Sequence, residues 1–483
     1  MRSKIENRFF PVWSMCLVLL STMTVLSGKT QPQPGSSPNV VLIYLDDMGY
    51  GDLSLTGANG YKTPNLDRMA MKGMFFTNFY SPQAVCSASR AGLLTGCYPN
   101  RIGLAGALSH RSSIGISKDE ETIAEMLKKR GYATAIFGKW HLGFQQQFLP
   151  TNHGFDEFYG IPYSNDMWPL HPTGTYPGLP LYENETIVNP DVTPKDQAQF
   201  ITDFTMRTID FIRRNQDQPF FVYLPHPMPH VPLHVSDKFK GKSEQGLYGD
   251  VMMEIDWGVG QIIKTLEETG LDEKTLVIFT SDNGPWLNYG NHAGSTGGFR
   301  EGKGTSFEGG QRVPCLMMWR GVIQEGVICN NLASGIDILP TLSAISGAPL
   351  PRNKIDGVNL LPLLKGNFAA NPRQTFYYYY RQNSLEAVRN GKWKLVFPHP
   401  GRTYEGYQPG KDGKPGPVKS NFSFEGGLYD LRRDPGERYD VSESNPEIVK
   451  ALEKIATEAR EDLGDELMDN PGKNRRESGR IEE

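Results

Sequence analysis

Apolar runs of strand length recur along the chain, and each breaks into polar residues at its carboxyl end. Asn39 to Leu45 (NVVLIYL) ends in Asp46-Asp47, and Tyr132 to Phe137 runs into Gly138-Lys139-Trp140-His141-Leu142-Gly143. Pro219 to Leu224 leads into a Pro- and His-rich stretch from Pro225 to Pro232, and Leu276 to Thr280 into Ser281-Asp282-Asn283-Gly284. Unbroken runs of this kind are the pattern of central parallel strands buried on both faces. Helical patterns lie between them, for example Glu121 to Lys129 and Asp250 to Glu268. The alternation predicts an α/β fold with a mostly parallel sheet, in which sites are built at the carboxyl ends of the strands.

From about Leu361 the pattern changes. Phe376 to Tyr380, Glu386 to Val388, Lys392 to Phe397 and Leu428 to Asp430 read as short strands of an antiparallel sheet, closed by a helix from about Pro446 to Leu463. Of the tyrosines at 377–380, alternating strand faces predict core and surface placement rather than a stacking platform. At the other end, Met1-Arg2-Ser3-Lys4 and an apolar run from Phe9 to about Leu26 read as a secretory signal. The expected organisation is a signal over 1–28, a polar linker over 29–38, a catalytic domain over 39–364, an antiparallel-sheet subdomain over 365–470 and a charged tail over 471–483. The tail reads as frayed.

Composition narrows this further. A length of 483 residues with 38% hydrophobic content, 52 Gly and 35 Pro suits a loop-rich globular enzyme. The formal net charge of -4, without a long basic run, gives no support to a nucleic-acid partner. No second apolar span follows the signal, so stable membrane insertion after cleavage is not expected. Four cysteines lie beyond the signal, Cys86, Cys97, Cys315 and Cys329. An even count in an exported chain allows two disulfides; if Cys86 is consumed by modification, Cys97, Cys315 and Cys329 remain, their pairing open, with Cys315 to Cys329 the pair expected.

The polar residues after the strands carry the chemistry. Asp46, Asp47, Asp282 and Asn283 offer oxygen only, which selects a hard cation, Ca²⁺ or Mg²⁺, over zinc. His226, His230 and His234 are spaced by four, but Pro227, Pro229 and Pro232 forbid a helix there. Cys86-Ser87-Ala88-Ser89-Arg90 reads as a loop-to-helix junction, with Leu93 and Leu94 buried and Gly96 as the stop. A nucleophile there meets free backbone N–H groups and a positive helix end, and Arg90 adds a planar donor fork suited to a sulfate or phosphate. A buried structural cysteine is the competing reading. Gly294 to Gly304 is Gly-rich, leading into Lys303-Gly304-Thr305-Ser306-Phe307-Glu308-Gly309-Gly310, without a Walker pattern.

CSASRAGLLTG resembles the signature of the type I sulfatases, in which the cysteine is converted to formylglycine, the catalytic aldehyde. Asp46-Asp47, GKWHLG, GIPYSND, PHVP, SDNG and GKGTSFEGG follow in the family's order, and the resemblance is to the arylsulfatase A and N-acetylgalactosamine-6-sulfatase branch. Ala88 departs from the proline many members carry, which bears on the maturation enzyme that would accept the chain. The implied fold is the alkaline-phosphatase-like α/β sandwich, a large mixed and mostly parallel sheet between helices, with a smaller C-terminal α+β subdomain.

By the same resemblance Asp46, Asp47, Asp282 and Asn283 are implied calcium ligands, with the modified Cys86 completing the sphere. Arg90 is implied to fix the formylglycine, Lys139, Lys303 and Ser164 to hold sulfate, and His141 and His230 to serve as base and acid. The implied mechanism is attack of a hydrated aldehyde at residue 86 on sulfur, His230 and Lys303 assisting the departing alcohol, then expulsion of sulfate with His141 as base. The expected enzyme is an exported sulfuric-ester hydrolase acting on a sulfated sugar. A phosphomonoester or phosphonate hydrolase of the same superfamily, and a catalytically silent binding protein, are the alternatives.

Overall fold

The computed structural model describes residues 37–481. The signal expected over 1–28, and most of the spacer after it, lie outside the described residues. An eleven-stranded sheet runs through the body of the molecule. Its parallel centre comprises, in spatial order, Thr275–Ser281, Asn39–Leu45, Phe220–Pro225, Ala133–Lys139 and Glu157–Ile161. Arg312–Met318 joins antiparallel beside Thr275–Ser281 and carries Met74–Tyr80 on its outer side. The sheet is therefore mixed and mostly parallel at its core, as the apolar runs predict.

Both faces are covered, which is why the runs do not alternate. Val41, Ile43 and Leu45 face a core shared with the helices Phe200–Arg214 and Leu247–Glu268. Val40, Leu42 and Tyr44 face the opposite core, shared with Cys86–Thr95, Ile123–Lys128 and Ile338–Ser346. Each fully buried aliphatic side chain contributes roughly 1.5–3 kcal/mol of transfer free energy.

The C-terminal part forms a four-stranded antiparallel sheet in the order Thr375–Tyr380, Ser384–Asn390, Trp393–Val396 and Gly427–Asp430. The helix Pro446–Leu463 lies against it through Leu452, Ala456, Ala459 and Leu463, a helical spacing of buried positions. A shared core with Tyr80, Tyr98 and Phe307 welds this sheet to the main body. Tyr378 and Tyr379 are buried in that core, as strand alternation around a bulge allows.

Two expectations are corrected. The tail does not fray: Gly479–Arg480 pairs with Ile114–Gly115, and Arg476 reaches Glu120 at 2.5 and 2.9 Å. A charged tail can dock when its charges meet buried partners, and Glu120 is such a partner. Nor are Cys315 and Cys329 bonded, since Cys86, Cys97, Cys315 and Cys329 are all free thiols. Both pair in register with Phe76, from opposite sides of the Met74–Tyr80 strand. Two strand spacings of about 4.8 Å put them well beyond the ~7 Å that a disulfide spans.

Candidate active site

Cys86 is the first residue of the helix Cys86–Thr95, every residue of which is buried. Gly96 ends it with φ 70°, a left-handed backbone that glycine adopts without penalty, and donates its N–H to Gly92 at 2.9 Å. One turn beyond Cys86, the Arg90 guanidinium is fully buried. Its Nη2 lies 2.8 Å from Asp282 Oδ2 and 3.1 Å from Asp46 Oδ2, and Nη1 donates to the Lys139 carbonyl at 3.0 Å. The fork that chemistry alone would offer to an oxyanion is thus occupied in fixing carboxylates.

Those carboxylates come from adjacent strand ends. Leu45 pairs with Ser281, so Asp46-Asp47 and Asp282-Asn283 leave the sheet side by side. Asp47 turns with φ 65° and donates its backbone N–H to Asp282 Oδ1 at 3.1 Å. Asn283 Nδ2 donates to Asp47 Oδ1 at 2.7 Å. From the end of its own strand, Lys139 reaches Asp46 and also donates to Ser164 Oγ at 2.9 Å. Lys303 Nζ sits 2.7 Å from Asp47 Oδ1. Gly284 makes this possible: a Cβ there would stand 1.8 Å from the Gly309 carbonyl, on the loop that carries Lys303.

Three carboxylates thus share one buried space with Arg90, Lys139 and Lys303. Burial alone would raise Asp46, but Lys139, His230 and Arg90 hold its carboxyl well below the usual range. Burial and the Asp46 charge push Asp282 up to about 7 despite Arg90. Burial would lower Lys303, yet Asp47 holds it above its ordinary value. Asp46 Oδ1 and Asn283 Oδ1 are buried and have no hydrogen-bond partner. Orphaned acceptors beside crowded carboxylates fit a hard divalent cation. Among His, Cys, Asp and Glu of the described residues, the tight donor group is Asp46, Asp47 and His230, within 4.8 Å of one another. Asp282, whose Oδ2 is 2.8 Å from Arg90, lies outside that group.

A cavity of about 390 Å³ opens over this cluster, and Cys86, His141, Ser164, His230 and Lys303 line it. Burial pushes the Cys86 thiol up to about 11. Burial and Lys139 hold His141 well below its ordinary value, so its imidazole is neutral. Its Nε2 lies 2.8 Å from the Leu108 carbonyl and its Nδ1 is unpartnered. With the proton on Nε2, a basic nitrogen is left free at Nδ1. His230 Nδ1 lies 2.5 Å from the Val231 carbonyl, with Nε2 3.6 Å from Asp47 Oδ2. His226 and His234 lie outside the lining: His226 packs near Phe204 and His234 against Trp168.

Cys86, His141, Ser164, His230 and Lys303 therefore line this cavity, with Asp46, Asp47, Arg90, Lys139, Asp282 and Asn283 clustered beneath it, while His226 and His234 do not join them. Sequence reasoning missed Trp286, Tyr380, Arg381 and Arg402, which line the same space. Trp286 lies under the Lys303 ammonium, 4.6 Å from ring centroid to Nζ. Its position two residues past the Asp282-Asn283-Gly284 turn was the available signal. Tyr380 belongs to the tyrosine run at 377–380, for which the sequence favours core and surface placement over a stacking platform; for Arg381 and Arg402 there was no signal, because they arrive from the C-terminal sheet and its neighbouring hairpin.

Comparison with known proteins agrees with this geometry. The Sulfatase family model matches residues 38–348, and that of the C-terminal region of aryl-sulfatase matches 371–478. Arylsulfatase A of Bos taurus is 39% identical over 463 residues, covering 90% of this chain and 89% of that protein. N-acetylgalactosamine-6-sulfatase of Canis lupus familiaris is 36% identical, covering 92% of this chain and 88% of that one. Among solved structures, the PsFucS1 sulfatase from Pseudoalteromonas sp. superposes with a TM-score of 0.78 at 28% identity, covering 88% of this chain and 90% of that one. The chain belongs to the sulfatase family and is a sulfuric-ester hydrolase.

Proposed function

We propose that the protein is an exported enzyme that removes sulfate from a sulfated carbohydrate, using formylglycine made from Cys86 by a maturation enzyme and a bound calcium ion. The observation that carries this reading is the position of Cys86: at a helix start, at the base of a cavity walled by His141, Ser164, His230 and Lys303. The unmodified thiol is a poor nucleophile there, because burial keeps it protonated at neutral pH. As formylglycine, residue 86 supplies a hydrated aldehyde whose hydroxyl can act on sulfur.

Asp46, Asp47, Asp282 and Asn283, with residue 86, would hold the cation. Bound there, it supplies positive charge to the nonbridging oxygens of a sulfate. Lys139, steadied by Ser164, and Lys303 would bind those oxygens in a site that excludes water, where charge-assisted hydrogen bonds are strong. Arg90, whose Nη atoms are spent on Asp46, Asp282 and the Lys139 carbonyl, would orient the carboxylates. His141, neutral with Nδ1 free, would take a proton from the residue 86 hydroxyl. His230, on the cavity wall beside Lys303 and Trp286, would give a proton to the departing alcohol.

The test is mass spectrometry of the Cys86 peptide from protein made in its native host, together with sulfate release from nitrophenyl sulfate and a panel of sulfated sugars. Formylglycine with sulfate release, abolished in Cys86→Ala, is expected. Unmodified cysteine without sulfate release would sink the mechanism. Faster release from matched phosphate or phosphonate esters would move the reaction class instead.

A further inference from the structure

The catalytic cavity does not end at Cys86. Tyr380, Arg381 and Arg402 line both that cavity and a second one of about 320 Å³, whose far wall is Ser420 and Asn421. The two spaces are joined at these three side chains. From the geometry we infer that the outer space is an anion-binding subsite, formed by Arg381 and Arg402, for a second charged group on the sugar substrate. The inference rests on the proposed action on sulfated carbohydrate and narrows it to polyanionic ones.

Arg381 is held in place. Its Nη2 donates to the Ser420 carbonyl at 2.9 Å and to Asn421 Oδ1 at 3.4 Å. The residue adopts φ 53° in the turn between Thr375–Tyr380 and Ser384–Asn390, a left-handed backbone uncommon outside glycine. Arg402 approaches from the neighbouring hairpin. Its Nη1 donates to Tyr404 Oη at 3.4 Å, and a Cβ on Gly304 would come within 3.3 Å of that same Nη1. The guanidinium therefore rests on the backbone next to Lys303.

Neither guanidinium has an ion pair among the described residues; both spend their bonds on neutral oxygens. The carboxyl whose field reaches Arg381 is Glu386, which burial pushes up to about 8, so it is mostly protonated at neutral pH. Two cations without a direct ion pair, fixed by neutral acceptors at the mouth of a sulfate-cleaving site, with the Asp47 field reaching Arg402 from the inner cluster, match a planar or tetrahedral oxyanion. Asp166 on the inner cavity would repel such a group, which leaves the arginine side as the place for it. The second anion is a carboxylate, as on a uronic acid, or another sulfate; the shared chemistry is the oxyanion.

The test compares pairs of sulfated disaccharides that differ only in the second charged group, one pair differing by a carboxylate and the other by a sulfate. Each is titrated calorimetrically into the calcium-loaded Cys86→Ala protein, and used as a competitor of nitrophenyl sulfate hydrolysis by the active enzyme. The doubly charged member of at least one pair is expected to bind about tenfold or more tighter. Arg381→Ala with Arg402→Ala should erase that ratio. Arg381→Lys with Arg402→Lys should keep part of it, with melting temperature checking that both proteins fold. The pair that shows the preference identifies the group. Equal binding within both pairs, or a ratio unmoved by the alanine variants, would overturn the subsite. Because calorimetry needs no turnover, an enzyme dead toward nitrophenyl sulfate would sink the proposed function without silencing this test.

Discussion

Lys394, on the C-terminal sheet, places its Nζ 3.2 Å from Glu308 Oε1 at the start of the short helix Glu308–Gln311, five residues past Lys303, and neither side chain is exposed. The same ammonium lies 2.7 Å from Glu437 Oε1 and donates to the Ser306 carbonyl at 2.8 Å. Tyr80 and Tyr378 also donate to Glu308, at 2.5 and 2.9 Å. Burial alone would raise Glu308, but Lys394 and Arg389 hold it down to about 2. Replacing Lys394 with Met should cost about 3–5 kcal/mol, because Glu308 is left buried and short of charge. Chemical unfolding measures this, with Lys392→Met as a control; Lys392 is a partly exposed neighbour paired with Asp430. A loss no larger than the control's would show that Lys394 does not join the two parts.

The docked tail makes a second prediction. Arg476 meets Glu120 with two hydrogen bonds and donates to the Lys354 carbonyl at 3.1 Å, while Arg475 reaches the Asn100 carbonyl at 3.2 Å. Ending the chain after Lys473 should cost about 2 kcal/mol or more, read as a lower urea midpoint, since Glu120 loses its partner. Ending it after Arg480 should cost almost nothing. Equal midpoints for the two truncations would mean the tail adds no stability.

These elements divide by how much of them a sequence can carry. Asp46-Asp47 and Asp282-Asn283 are legible because a continuous apolar run marks a buried strand, and a parallel sheet places such strand ends together. The Cys86 helix is legible from its Gly96 stop and its two leucines. Arg381 and Arg402 are not, because their position depends on how a separate sheet docks through Tyr80, Tyr98 and Phe307. The cysteine pairing failed for a related reason. Cys315 and Cys329 are close in sequence, but the strand between them, Met74–Tyr80, comes from far upstream. Charge misled in the tail, since Glu120, its main partner, gives no sign in the sequence of being buried.

A buried pair in the C-terminal part should make stability depend on pH. Glu386 Oε2 lies 3.3 Å from His399 Nε2, and His399 Nδ1 lies 2.7 Å from the Phe397 carbonyl. Burial pushes Glu386 up from 4.5 to about 8 and His399 down from 6.5 to about 4. Folded Glu386 keeps a proton that the unfolded chain releases above 4.5, so its contribution falls as pH rises toward 8. Folded His399 lacks a proton that the unfolded chain holds below 6.5, so its contribution rises with pH up to there. The two offset below 6.5; between 6.5 and 8 Glu386 is the member of the pair that still acts, alongside Asp52, Asp282 and Glu437, which burial pushes up to about 7. The share of the fall across that window owed to Glu386 is at most about 2 kcal/mol. Glu386→Gln, which can still donate to Nε2, should make the profile shallower up to pH 8, and an unchanged slope would refute the assignment.

The proposed cation site yields the most direct measurement. Chelator-stripped protein titrated with CaCl₂ should show a single binding event and a rise in melting temperature, worth about 2.7 kcal/mol at a hundredfold excess over Kd. MgCl₂ should do less, since Mg²⁺ gives up its waters reluctantly. Asn283 is the residue that separates a metal role from a structural one. Its Oδ1 is buried without a partner, while Nδ2 holds Asp47 and the Gly284 carbonyl. Asn283→Ala removes both functions. If Oδ1 is a ligand, the calcium-loaded variant loses much more stability than the stripped one, so most of the calcium-induced rise disappears. If Asn283 only holds Asp47, both forms lose the same amount and the rise survives intact.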